Sequence, residues 1–109
     1  MIGGNTYAIL QADTSEKNAF GEVIHSWLDV RTIQGFLDYT GGDASYKGTF
    51  KGAVEETTHL FICDFVELDV EPTTHRLLID SKVYDILMID NPMGLNKHLE
   101  IFLKYTGVA

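Results

Sequence analysis

From His98 to Tyr105 the chain reads HLEIFLKY, and apolar and polar positions alternate except at Phe102. A period of two belongs to a β-strand with one buried face and one wet face. Leu99, Ile101, Leu103 and Tyr105 fall on one side of this strand, and His98, Glu100, Phe102 and Lys104 on the other. A strand with one dry face needs partners to cover it, so the rest of the chain is read for further strands.

They come in series. TYAILQA (Thr6 to Ala12) is short, apolar and aromatic, and DTSEKNAFG follows it as a polar turn region. EVIHSWLDVRTIQGFL (Glu22 to Leu37) is rich in β-branched and aromatic residues and predicts one long strand. Ile24, Leu28, Val30 and Phe36 share one face of it, and Ile33 and Leu37 the other. A bulge or bend near Thr32, for which Gly35 is suited, is expected to bring both sets to a single core. THLFICDFV (Thr58 to Val66) is apolar at both parities and predicts a central strand covered on both sides. Pro72 keeps the next stretch out of a central strand. RLLIDSKVYDILMID (Arg76 to Asp90) predicts a hairpin turning at Asp80 to Lys82, and NPMGLN (Asn91 to Asn96) a turn. The expected fold is mainly β: one domain over residues 1–109, a small antiparallel barrel of about five to six strands with room for a short helical turn.

One stretch breaks the rhythm. DYTGGDASYKGTFKGAVEET (Asp38 to Thr57) holds four of the ten glycines and reads as one long flexible loop. It is no phosphate-binding loop: Lys47 precedes its glycine, the spacing from Gly42 is too long, and Gly48 and Gly52 interrupt any following helix. Its aromatic residues give it another use, as an assembly segment that orders against a neighbour. Tyr39, Gly41, Gly42, Tyr46, Lys47, Phe50 and Lys51 are the residues expected to form that interface.

Composition narrows function by exclusion. Sixteen acidic residues against eight basic ones give a net charge of -8, which opposes binding to nucleic acid or anionic membranes through clustered cations. An acidic wall still lets DNA slide past. No apolar run spans a bilayer, and the N-terminal stretch has no basic region followed by an apolar one. The chain is therefore expected to act where it is made, or in something assembled there. Cys63 lies in an apolar run and reads as a buried hydrophobe. His25, His59, His75 and His98 stand in four separate segments without metal-ligand spacing. No nucleophile elbow is present, and acidic pairs such as Glu55–Glu56 are tied to no general-acid pattern and read as solvated faces, so no enzyme, cofactor or metal is expected. Trp27 and the tyrosines read as strand packing, with a peptide-binding groove as the alternative.

Strand by strand the chain resembles the head-closure or head–tail adaptor proteins of tailed bacteriophages, including those of defective prophages. The resemblance runs over nearly the full length. It is carried by FGEVIHSW (Phe20 to Trp27), ETTHLFI (Glu56 to Ile62), the Arg-led hairpin from Arg76 to Asp90 with its Tyr-x-Ile, Asn91-Pro92, and LEIFLKY (Leu99 to Tyr105). The hairpin turn departs from the family's frequent Asp-Gly, and basic residues are few. The resemblance implies a structural virion protein that is monomeric alone and docks as a ring, commonly of about twelve copies in head-to-tail contact, with another component of the connector, a tail-completion or stopper protein, as the alternative. The ring would sit beneath the portal or adaptor proteins, hold the packaged DNA, extend its conduit and receive the tail-completion proteins. It implies location in the virion, and in the host cytoplasm during assembly.

Overall fold

β1 (Thr6–Asp13) is the strand from which the barrel closes, because it pairs on both sides: with β4 along its full length and with β6 from Ile9 to Ala12. The computed structural model describes residues 2–39 and 56–109. Within them, six antiparallel strands form a closed barrel in the order β1, β4 (Trp27–Tyr39), β5 (His59–Asp64), β8 (His98–Val108), β7 (Lys82–Asp90) and β6 (His75–Ile79). Closure leaves no barrel strand with an unpaired edge. The remaining two strands, β2 (Glu16–Lys17) and β3 (Val23–Ile24), pair only with each other and form an arm between β1 and β4.

The expected single strand from Glu22 to Leu37 is therefore two. The break falls at His25 and Ser26, where the Thr14 amide donates to the Ser26 carbonyl at 2.7 Å and the His25 ring sits 3.0 Å from Asp13. These contacts pinch the base of the arm, so Val23 and Ile24 leave the barrel with it. Further along, the register slips between Leu10 and Gln11, leaving Val30 as an extra residue in β4. The bulge thus lies two residues before Thr32. It does not bring both apolar sets inward, however. Ile33 is buried and Leu37 half-buried, whereas Ile24, Leu28, Val30 and Phe36 stay exposed, Leu28 at 60% and Val30 at 52%.

The core holds Ala8, Leu10, Ile33, Phe61, Cys63, Leu77, Ile79, Tyr84, Ile86, Leu99, Ile101 and Leu103. The alternation of β8 therefore points as expected at Leu99, Ile101 and Leu103, but Tyr105 on the same face is exposed, and Phe102 on the other face is also buried. It pairs with Leu60 across β5 and with Met88 across β7. With Ile62 and Leu87 these residues form a second cluster on the outer side of the wall. This is how β5 comes to be apolar at both parities. In β7 a second bulge, at Leu87, resets the period, so Ile86 and Ile89 both face inward while Leu87 and Met88 join the outer cluster.

The β6–β7 turn is the two-residue kind. Asp80 and Ser81 both adopt left-handed backbone, with φ of 50° and 64°, the pairing that matches strand twist and favours Asn-Gly or Asp-Gly. Ser81→Gly removes a Cβ from that conformation. We expect it to stabilise the fold by about 0.5–1 kcal/mol, after allowing for the freer unfolded chain. A rise of a few degrees in the thermal midpoint is the readout, and a fall would show that the serine contributes more than its backbone angle. The expected helical turn is a 3₁₀ turn at Pro92–Gly94.

Candidate functional site

The barrel has two mouths with different chemistry. At one, β4 ends in Tyr39, β5 begins at His59, β7 begins near Tyr84 and β8 runs past Tyr105. These four rings meet. His59 lies edge-on to Tyr39 (5.3 Å between centroids) and to Tyr84 (5.0 Å), and Tyr84 lies 5.6 Å from Tyr105. Thr58 ties the group to the wall: its Oγ1 accepts the Tyr105 amide at 2.8 Å and sits 2.9 Å from His59 Nδ1. The Thr-His pair that opens β5 thus seats one histidine between tyrosines from three other strands.

Burial, reinforced by the positive charge of Lys82, holds the His59 pKa below its ordinary 6.5. The neutral ring is therefore the form the fold prefers. Below pH 6.5 the unfolded chain takes up the proton first, so this contribution is complete above pH 6.5 and is lost as pH falls beneath it. In His59→Gln the decline of stability between pH 7 and pH 5 should be shallower than in the parent, as read from denaturant midpoints across that range. Equal slopes would show that other groups set the dependence.

The opposite mouth is roofed by the β5–β6 connection. Phe65, Val66, Leu68 and Val70 turn back onto the core. A groove of about 580 Å³ opens beside them, lined by Phe65, Val66, Leu68, Ile89 and Leu99. Glu67 and Asp69, both exposed, stand on its rim. The Phe65 amide donates to the Lys97 carbonyl at 3.1 Å, which brings the β7–β8 connection to the same edge.

A polar row circles part of the outer wall. Successive strands place Asp29, Gln11, Arg76, Asp85 and Lys104 side by side. Gln11 Nε2 donates to Asp29 Oδ1 and Arg76 Nε donates to Gln11 Oε1, each at 2.8 Å. The Arg76 guanidinium lies 4.0 Å from the centre of the Trp27 ring. Trp27 is thus used in packing and not left free to line a peptide groove.

Of the residues expected to form an assembly interface, Tyr39 is in β4, where it pairs with His59, and its side chain is largely exposed. Asp38 likewise belongs to β4 and not to the loop. Gly41, Gly42, Tyr46, Lys47, Phe50 and Lys51 lie outside the described residues. Cys63 is fully buried, and burial pushes its thiol up to about 11, with Asp64 adding to the rise, so it is a core hydrophobe. Among the described residues, no three His, Cys, Asp or Glu side chains gather as metal ligands, and no helix is long and apolar enough to cross a membrane. Sequence reasoning missed the aromatic mouth because its members come from four segments. The only local sign was His59 opening a strand directly after two threonines.

These features define a small closed β-barrel with a cluster of aromatic rings at one rim and an apolar groove at the other. Among solved structures, the solution structure of protein SF1141 from Shigella flexneri 2a has the same fold, with a TM-score of 0.69. The two share 15% sequence identity over 96% of this chain and 95% of that one. The chain belongs to the phage head completion protein family, whose model matches residues 4–105. No curated protein matches it. Its role is thus structural, in completing a phage head, and it works in contact with other head and tail proteins.

Proposed function

We propose that this barrel docks as a ring beneath the portal complex after packaging, closes the DNA-filled head, extends the DNA conduit and presents the surface on which the tail assembles. The observation that carries this reading is the family match, which takes in the barrel from residue 4 to residue 105. Two physical features support it. A closed barrel cannot recruit a neighbour by adding a strand to its sheet, so contacts fall to the rims and to the segments that project from them. The charge also suits passage of DNA over its capture. With -8 per chain, a ring of about twelve copies carries a formal charge on the order of -100.

In this reading the protein catalyses nothing and holds no cofactor. It is monomeric before assembly and acts in the virion, after a stage in the host cytoplasm. Its partners are portal or adaptor proteins above, tail-completion proteins below and its own copies alongside. The segment beginning at Tyr39, with Gly41, Gly42, Tyr46, Lys47, Phe50 and Lys51, is the proposed contact at the aromatic rim. Deletion of the gene tests the whole reading by electron microscopy of the resulting particles. Empty or leaking heads beside unattached tails are expected. Filled, tailed particles would refute it.

A further inference from the structure

The arm between β1 and β4 presents an aromatic side chain to solvent on a turn that is fully tied down. Phe20 is 88% exposed. The Asn18 side chain accepts the amides of Phe20 (2.9 Å) and Glu22 (3.0 Å), the Asn18 carbonyl accepts the Gly21 amide, and the Asn18 amide donates to the Glu22 carbonyl at 2.9 Å. Gly21 takes a positive φ of 81° to close the turn. The base is fixed by the contacts among Asp13, Ser15 and His25. A flexible loop could fold such a side chain back onto the protein, but here the turn holds it outward. The entropy of ordering it for a contact has already been spent.

The groove is the complementary feature. It opens at the same end of the barrel as the arm, since both follow the ends of β1, β5 and β7. Around the circumference the two are opposed. The arm leaves from β1 and β4, and the groove lies over β5, β8 and β7, with β8 three places from β1 in the six-stranded order. The arm carries Glu16, Lys17 and Glu22, and the groove is rimmed by Glu67 and Asp69, so the charge that complements the rim is that of Lys17, which has two carboxylates to meet there.

We infer that the groove receives the Phe20 arm of a second copy of this chain. The contact is heterologous. Each molecule offers a projection on one side and a socket on the other, at one level, and repetition of such a contact closes a ring or runs on as a filament. The inference rests on the ring reading proposed above and names the contact that would build it.

The test uses the full chain with cysteines at the edge of the contact: Ala19→Cys on the arm and Asp69→Cys on the rim, both exposed positions, with Glu67 left in place as the remaining rim acid. Cys63 is buried and stays silent. Mixed single variants at high concentration should give a disulfide-linked heterodimer in preference to either homodimer. The double variant should give a ladder beyond the dimer. Adding Phe20→Ser should leave the thermal midpoint unchanged, because the side chain is exposed, and lower the cross-linked yield roughly tenfold or more. Random pairing of the two cysteines, or a yield indifferent to Phe20→Ser, overturns the contact. If particles carrying the chain show a ring all the same, only the contact falls. If they show none, the ring reading falls with it.

Discussion

Gly35→Ala should cost about 3 kcal/mol, at the upper end of what overpacking a core imposes. Gly35 sits mid-strand in β4, between Thr6 of β1 and Cys63 of β5. A Cβ built there would approach the Ile62 carbonyl oxygen at 2.4 Å and the Phe61 ring at 2.8 Å. The backbone is crowded from another direction too. Residues 2–4 cross β4 at this point, where the Gln34 side chain donates to the Gly4 carbonyl and Asp64 accepts the amides of Ile2 and Gly3. A Cβ on Gly4 would in turn lie 2.2 Å from the Gly35 carbonyl oxygen. The two glycines are therefore spaces that other parts of the fold occupy. For a domain of this size, stable by roughly 5–15 kcal/mol, such a loss should lower the thermal midpoint by about 10–20 °C. The Phe61→Leu background separates the two clashes. It frees the ring side but not the Ile62 carbonyl, which belongs to the neighbouring strand and cannot retreat without breaking the ladder. The double variant should therefore recover little. Full recovery would assign the penalty to Phe61 alone.

Gly35 also shows how sequence reading succeeds and fails here. Glycine in a strand signals a bulge or a close approach, and the pattern alone does not choose between them. The bulge is at Val30 and the close approach at Gly35. The alternation in β8 was legible because a strand facing one core repeats every two residues. The apolar stripe of Leu28, Val30 and Phe36 followed the same rule and gave the wrong answer. Periodicity shows that a strand has two faces; it does not say which face the barrel encloses. That depends on which strands flank it, and β4 lies between β1 and β5, partners 20 or more positions distant in sequence for most of their pairs. Closure through β1 and β6 is likewise set by long-range pairing. The arm was hidden inside an apparently continuous strand, because Val23 and Ile24 have the same β propensity whether they pair in a barrel or with two residues across a turn. The rim chemistry was equally out of reach: the tyrosines that surround His59 are separated in sequence by up to 66 positions, from Tyr39 to Tyr105.

Arg76→Ala should destabilise the barrel by about 2–3 kcal/mol, more than a surface arginine would. A hydrogen bond from a charged donor contributes roughly 1.5–3 kcal/mol, and a guanidinium over an indole about 0.5–1 more at a half-exposed site. Losing Arg76 deprives Gln11 of the donor to its Oε1, in a residue only 7% exposed. It also uncovers one face of Trp27 and leaves Asp85 beside Gln11 without the cation between them. Arg76→Lys keeps the charge and should recover less than half of the loss. An ammonium cannot both donate from the Nε position to Gln11 and lie flat on the indole. Trp27 is the single tryptophan of the chain, so its emission reports directly on the stacked cation. Both variants should shift the native-state spectrum, while Lys104→Ala, at the far end of the same row, should not. A double-mutant cycle between Arg76→Ala and Trp27→Phe then isolates the stacking contribution. A coupling near zero would leave the hydrogen bond through Gln11 to Asp29 as the contact that makes this arginine matter. It would also mean that the row across β4, β1 and β6 acts as a hydrogen-bonded tie between strands far apart in the chain.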